Sequence, residues 1–127
     1  MTDEERKTLA TSFIAAVRAG DAQTFHAIMT DDVVWSLPGS SAVSGLAQGV
    51  DGILKRAKSL REYKVTLEIQ HVVLGYEGAA LLLHNTGNRN GRVLDEYLTT
   101  VLAFRDGKIS RLDTYISDIP MVNAYFS

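Results

Sequence analysis

The property that most constrains this chain is a change of hydrophobic period at Tyr63. Upstream, apolar residues recur every three or four positions, as on one face of a helix. Downstream they alternate with polar residues, as along a half-buried strand. Helices first and strands second predict an α+β domain in which amphipathic helices cover one face of an antiparallel sheet. A length of 127 residues suits one domain, residues 1–127, able to bury roughly two-thirds of the surface its unfolded chain exposes.

Local signals divide the first half. Thr2 and Glu5 have capping-box spacing, so a helix starts near Asp3, buries Leu9, Phe13, Ile14 and Val17, and stops at Gly20. Asp21 caps a second, short helix through about Met29. Val33–Leu37 reads as a short strand ended by Pro38-Gly39, and the Ser- and Gly-rich stretch from Ser40 to Gly49 reads as a loop. Asp51 then caps a third helix with Ile53, Leu54, Ala57 and Leu60 inward. Residues 1–61 are thus three helices around one short strand, followed by strands at about 64–75, 79–88, 92–105 and 108–117 in an antiparallel meander.

Composition excludes several functions. Thirteen Lys plus Arg against 15 Asp plus Glu leave a net charge of −2, no basic field for nucleic acid or anionic lipid. Without cysteine there is no disulfide framework and no thiolate nucleophile or metal ligand. The charged N-terminus lacks the apolar core of a signal peptide and no run reaches membrane-spanning length, so the expectation is a soluble, cytoplasmic protein. The three histidines show neither HxH nor HExxH spacing, and no metal or other cofactor is expected.

Turn chemistry sets the register. Gly75-Tyr-Glu-Gly78 suits a tight hairpin that places His71 opposite Leu82, with His84 on the same face. Read as a three-residue loop, Arg89-Asn90-Gly91 puts His84 across from Glu96; a two-residue Asn-Gly loop instead pairs His84 with Tyr97. A three-residue turn at Arg105-Asp-Gly107 brings Leu98, Thr100, Leu102 and Phe104 onto the face of Leu112, Thr114 and Ile116. The helix-covered face then holds Val65, Leu67, Ile69, His71, Val73, Ala80, Leu82, His84 and Glu96 as well. The opposite face shows Leu81, Leu83, Tyr97, Val101 and Tyr115, a surface suited to a homodimer.

Four segments, Phe13-Ile-Ala-Ala-Val-Arg-Ala-Gly-Asp21, Asp31-Asp-Val-Val-Trp-Ser-Leu-Pro-Gly39, Phe104-Arg-Asp-Gly-Lys-Ile109 and Asp118-Ile-Pro-Met-Val-Asn-Ala-Tyr-Phe126, resemble the SnoaL-like branch of the nuclear transport factor 2-like superfamily. The resemblance implies a cone: N-terminal helices packed in a strongly curved, mainly antiparallel sheet whose open end takes a ligand. It does not select a reaction, because the superfamily includes ketosteroid isomerases, polyketide cyclases, epoxide hydrolases, dehydratases and non-catalytic proteins. Positions that carry the isomerases' tyrosine, base and second acid match Phe13, Leu37 and Thr100. The Asp-Arg-Asp set of the epoxide hydrolases matches His84, Thr86 and Thr114, the last also matching the cyclase aspartate. Those chemistries are therefore absent in their usual form.

The remaining expectation is a cofactor-independent isomerase, cyclase or dehydratase, or a ligand-binding protein, for a hydrophobic, oxygen-bearing small molecule. His84 is the expected general base and Glu96 the carboxylate that orients it. Phe13, Trp35, Leu37, His71, Leu82, Leu98, Thr100, Leu112 and Thr114 are the expected ligand contacts, with His71 or a threonine on the ligand oxygen. The competing expectation is a non-catalytic ligand-binding or dimeric interaction protein whose cone is filled by its own side chains.

Overall fold

A computed structural model of residues 1–127 contains four helices and one curved six-stranded sheet. Helix α1 (Asp3–Ala19) starts at the capping box, with the Glu5 N–H on Thr2 Oγ1 at 3.0 Å and the Thr2 N–H on Glu5 Oε1 at 3.4 Å, and ends where Gly20 turns left-handed. Asp21 caps α2 (Ala22–Ile28) through the Thr24 N–H. The third helix, α3 (Gly49–Glu62), begins before the expected Asp51, with Gln48 at its cap and no side-chain bond there. A fourth, α4 (Ile119–Tyr125), follows the last strand behind the cap Asp118, which accepts the Met121 N–H; no element was expected in this segment.

The strands are β1 (Met29–Leu37), β2 (Gly45–Gln48), β3 (Thr66–Leu74), β4 (Ala79–Arg89), β5 (Arg92–Arg105) and β6 (Lys108–Ile116), in the order β2-β1-β6-β5-β4-β3. The antiparallel meander runs from β3 to β6 as expected. Beyond it, β1 joins the free edge of β6 in parallel, and β2, expected as loop, folds back antiparallel on β1. The sheet is therefore mixed. A β1 left unpaired would bury its backbone N–H and C=O groups without partners, and the exposed edge of β6 supplies them.

Three local features differ from expectation, and the first two overturn face assignments. First, Asn90 and Gly91 both have positive φ, 53° and 77°, the two-residue turn that Asn-Gly favours, so Arg89 pairs Arg92 and His84 pairs Tyr97. Second, β3 bulges at Gln70: Ile69 pairs Leu83, but His71 pairs Leu82. One extra residue flips the face beyond it, so Ile69 points inward and His71 outward. Third, the turn at 105–108 is also a two-residue one, with Asp106 and Gly107 at φ 53° and 76°, and an extra residue in β6 at Ser110 restores the expected pairing of Thr100 with Thr114 and Leu102 with Leu112.

Strand β4 consequently faces opposite to expectation. Leu81, Leu83 and Asn85 are buried, while Leu82 and His84 look outward, and Leu81 and Leu83 do not belong to a dimer surface. The run Ala79-Ala-Leu-Leu-Leu83 is apolar on both faces, so alternation alone could not choose its phase. On β5 and β6 the expected phase holds: Glu96, Thr100, Leu102, Leu112 and Thr114 are buried. Phe13, Ile14 and Val17 of α1 and Ile53, Ala57 and Leu60 of α3 complete the core.

Candidate functional site

The inner face carries one polar centre that its surroundings do not fully satisfy. Glu96, 2% exposed, projects from β5 into the cone. Its Oε1 accepts the Ser117 N–H at 2.8 Å, the Ser117 hydroxyl at 3.1 Å and the Asp118 N–H at 3.4 Å. Its Oε2 has no partner, and neither does Oδ1 of Asn85, its cross-strand neighbour on β4. Two buried acceptors without a donor are costly, about 1–3 kcal/mol each. Native proteins seldom keep such groups without a use for them. No bond holds the Asn85 amide nitrogen, so that amide is free to turn its N–H groups toward the cavity.

Both residues line a small cavity of about 30 Å³. Its floor is Leu94 and Leu98 of β5 with Ile116 of β6, and one wall is Leu37, at the end of β1, with Leu60 of α3. Val122 and Phe126 close it from the α4 side. This volume suits one water-sized group. A single O–H donor bearing two hydrogens, or a ligand hydroxyl together with a turned-over Asn85 amide, would satisfy both bare oxygens.

The α4 segment is the cavity's only short, separately anchored wall. Phe126 packs edge-on against Tyr63 with ring centroids 5.1 Å apart, and the Tyr125 hydroxyl donates to the Tyr63 carbonyl at 2.5 Å. Gly87 makes that docking possible, because a Cβ there would collide with the Tyr125 phenol. Burial pushes the Tyr125 phenol up from its ordinary pKa, and the Arg89 charge opposes the shift. The donors on Glu96 Oε1 come from Ser117 and Asp118, the residues that lead into α4, so the same carboxylate faces the cavity and holds the segment that enters α4.

His84 and Glu96 do not meet. The His84 ring lies on the outer face, stacked on Tyr97 at 4.2 Å with its Nε2 2.6 Å from Asp95 Oδ1, because the two-residue turn at 90–91 brings Asn85, not His84, opposite Glu96. The bulge at Gln70 sends His71 outward as well, where it lines a groove of about 540 Å³ with Leu82, Tyr97, Thr99 and Tyr115. Of the expected ligand contacts, Leu37 and Leu98 reach the interior cavity. Phe13, Trp35, Thr100, Leu112 and Thr114 are buried but do not line it. Their polar atoms are satisfied within the core: Trp35 Nε1 donates to Thr114 Oγ1 at 2.8 Å, and Thr114 and Thr100 share a hydroxyl bond of 2.8 Å. The Trp35 ring sits edge-on to Phe13 with centroids 5.2 Å apart. Asn85, Leu60, Val122 and Phe126 were not expected at the site. The two-residue reading of the Asn90-Gly91 turn is the signal that identifies Asn85.

An α+β cone with a buried carboxylate facing a small apolar cavity defines the broad class. The sequence profile of the SnoaL-like domain matches residues 10–112, and the chain belongs to that family. Among curated sequences it is similar to the uncharacterised protein Rv0034 of Mycobacterium tuberculosis strain H37Rv, at 24% identity over 100% of both chains. Among solved structures it resembles Bal32a, from a soil-derived mobile gene cassette, with a TM-score of 0.89, 20% identity, and 98% of each chain covered. A nuclear transport factor 2-like protein of Burkholderia xenovorans LB400 superposes with a TM-score of 0.86 at 19% identity, covering 100% of this chain and 99% of that one. TerC, co-crystallised with polyporic acid, does so at 0.80 and 16% identity, covering 97% and 99%. At these identities the structural likenesses establish the fold alone. No helix is long and apolar enough to cross a membrane.

Proposed function

We propose that this protein binds a small, mainly apolar molecule bearing a hydroxyl or carbonyl group inside the cone, and that Glu96 is its acid–base group. The observation that carries the reading is the half-used carboxylate: Oε1 held by the α4 leader, Oε2 bare in an apolar cavity beside Asn85. Fixing one oxygen orients the other, the preorganisation that proton transfer needs. In this scheme Glu96 Oε2 takes a proton from a C–H beside the ligand carbonyl and returns it at a second position. Asn85, turned with its N–H groups toward the cavity, donates to the carbonyl oxygen as charge develops on it. Returned to a second carbon, the proton gives isomerisation; returned to a β-hydroxyl, it leaves with that oxygen as water and gives dehydration; in cyclisation the carbanion attacks a second carbonyl of the same ligand and the proton goes to the new alkoxide. TerC, a fold relative crystallised with polyporic acid, supports a ligand of cyclic, oxygenated character. A ligand of that size needs α4 displaced, which opens the cavity toward Leu37, Leu60 and Leu94.

The second reading is a non-catalytic dimeric protein. It is favoured by the volumes: the interior holds about 30 Å³, whereas the outer sheet face carries grooves of about 540 and 470 Å³. Tyr97, Tyr115, Val101 and Val73 are 60%, 64%, 41% and 46% exposed on that face. We propose a homodimer through it under either reading. Native mass spectrometry of protein purified from its own host tests the first reading, followed by titration of the recovered compound into wild type and Glu96→Gln. Turnover should fall about 100-fold or more in Glu96→Gln, as for loss of a general base, and stay unchanged in His84→Ala. Absence of any bound compound, together with no saturable NMR shift around the cavity for cyclic ketones and phenols, would favour the second reading.

A further inference from the structure

A second polar site lies away from the Glu96 cavity, where α3 packs on β2. Arg56 is 6% exposed, and its guanidinium donates to the Trp35 carbonyl at 2.6 Å and the Gly45 carbonyl at 3.0 Å. It also lies over the Trp35 ring, 5.0 Å from the centroid. Those contacts use two of the five N–H donors a guanidinium has. None of them neutralises the charge. The ion pairs of the protein involve Arg6, Lys58, His84, Arg105 and Arg111, so neither Arg56 nor its neighbour Lys55 has a carboxylate within 4.0 Å. Burial without an acidic partner lowers the Arg56 pKa to about 10. A buried charge left uncompensated is among the more expensive features a fold can keep.

The two cations open onto a groove of about 200 Å³. Gly52, Lys55, Arg56 and Ser59 form one stripe of α3 along it, at the three- and four-residue spacing that puts side chains on a common face. Gln48 adds an amide from the opposite wall, where the Ser44 hydroxyl is held by the Pro38 carbonyl at 3.0 Å, and no acidic residue lines the groove. A Cβ at Gly52 would come within 3.1 Å of the Ala47 carbonyl carbon, so glycine lets the helix approach β2 closely enough to form the narrow side.

We infer that this groove binds a phosphate group. Two cations flanked by the Ser59 hydroxyl and the Gln48 amide match a tetrahedral dianion in charge, where a carboxylate would neutralise only one of them. The carbonyl bonds of Arg56 hold its plane fixed at the groove's inner end, while Lys55 closes from the rim as a mobile point charge. With a net charge of −2, the protein as a whole does not attract anions, so occupancy depends on this local pair.

Two-dimensional 15N–1H NMR with inorganic phosphate, at ionic strength matched with sodium chloride, tests the assignment. Saturable shifts of the amides of residues 44, 48, 52, 55 and 59 are expected, and Lys55→Ala should weaken binding by about tenfold or more, as for one lost charge-assisted hydrogen bond. Lys55 is at the rim, so this variant keeps the fold. Ser59→Ala should weaken binding by a smaller factor. A parallel titration with glycerol 3-phosphate separates the sources: tighter binding of the ester assigns the site to a phosphorylated organic compound, and equal binding assigns it to the free ion. No saturable shift with either, shifts unaltered in Lys55→Ala, or equal shifts with acetate at the same concentration would overturn the inference.

Discussion

Replacing Glu96 by Gln should make the protein more stable, not less. The two side chains have nearly the same shape, so Gln Oε1 can keep the Ser117 N–H and hydroxyl bonds at 2.8 and 3.1 Å. The difference falls on the other arm, where the bare Oε2 becomes an NH2 group next to the equally bare Asn85 Oδ1. One unsatisfied acceptor disappears and the second gains a donor, a gain of about 1–2 kcal/mol. For a domain of this size that corresponds to a rise in Tm of about 4–8 °C. Glu96→Ala does the reverse: the donors of Ser117 lose their acceptor and the cavity grows, costing about 2–4 kcal/mol and about 8–16 °C. Calorimetric melting of the three proteins at one concentration reads both signs. If Gln destabilises as much as Ala, the carboxylate is required by the fold itself and is not retained for chemistry at a cost in stability.

Two further outcomes follow from the lid and the outer face. Tyr125→Phe removes the bond to the Tyr63 carbonyl and should cost about 1 kcal/mol near neutrality. Because burial raises the folded-state phenol pKa, the stability Tyr125 contributes is fully present below the unfolded value of about 10 and is lost as pH rises through the folded value. The gap between wild type and variant in chemical denaturation should therefore narrow from pH 9 to pH 11 (about one unit either side of the unfolded value); a constant gap would contradict the assignment. Light scattering should give twice the 13.9 kDa chain mass for wild type, and Tyr97→Asp, which puts a carboxylate at the centre of the apolar outer face, should return a monomer. A wild-type monomer at high concentration would remove the homodimer.

Much of the fold is written in short stretches of sequence. The Thr2–Glu5 box, Gly20 and the Asp21 cap place α1 and α2, the change of period at Tyr63 announces the meander, and β5 and the second half of β6 display their buried faces by alternation. Each of these is a local preference, decided by backbone groups and residues only a few positions apart. The site depended on longer-range choices. Ala79-Ala-Leu-Leu-Leu83 is apolar in either phase, and Gln70 could be in register or bulged; only packing against α1 and pairing with β5 selects one arrangement. That selection moved His71 and His84 outside and brought Asn85 beside Glu96. Because side chains alternate with a period of two, a one-residue change at a turn or bulge exchanges the whole polar content of a face. Glu96 was therefore legible as a buried acid, whereas its neighbour, its lid and the parallel edge formed by β1 were set by tertiary structure, in which distant segments compete for the same hydrogen bonds and the same core.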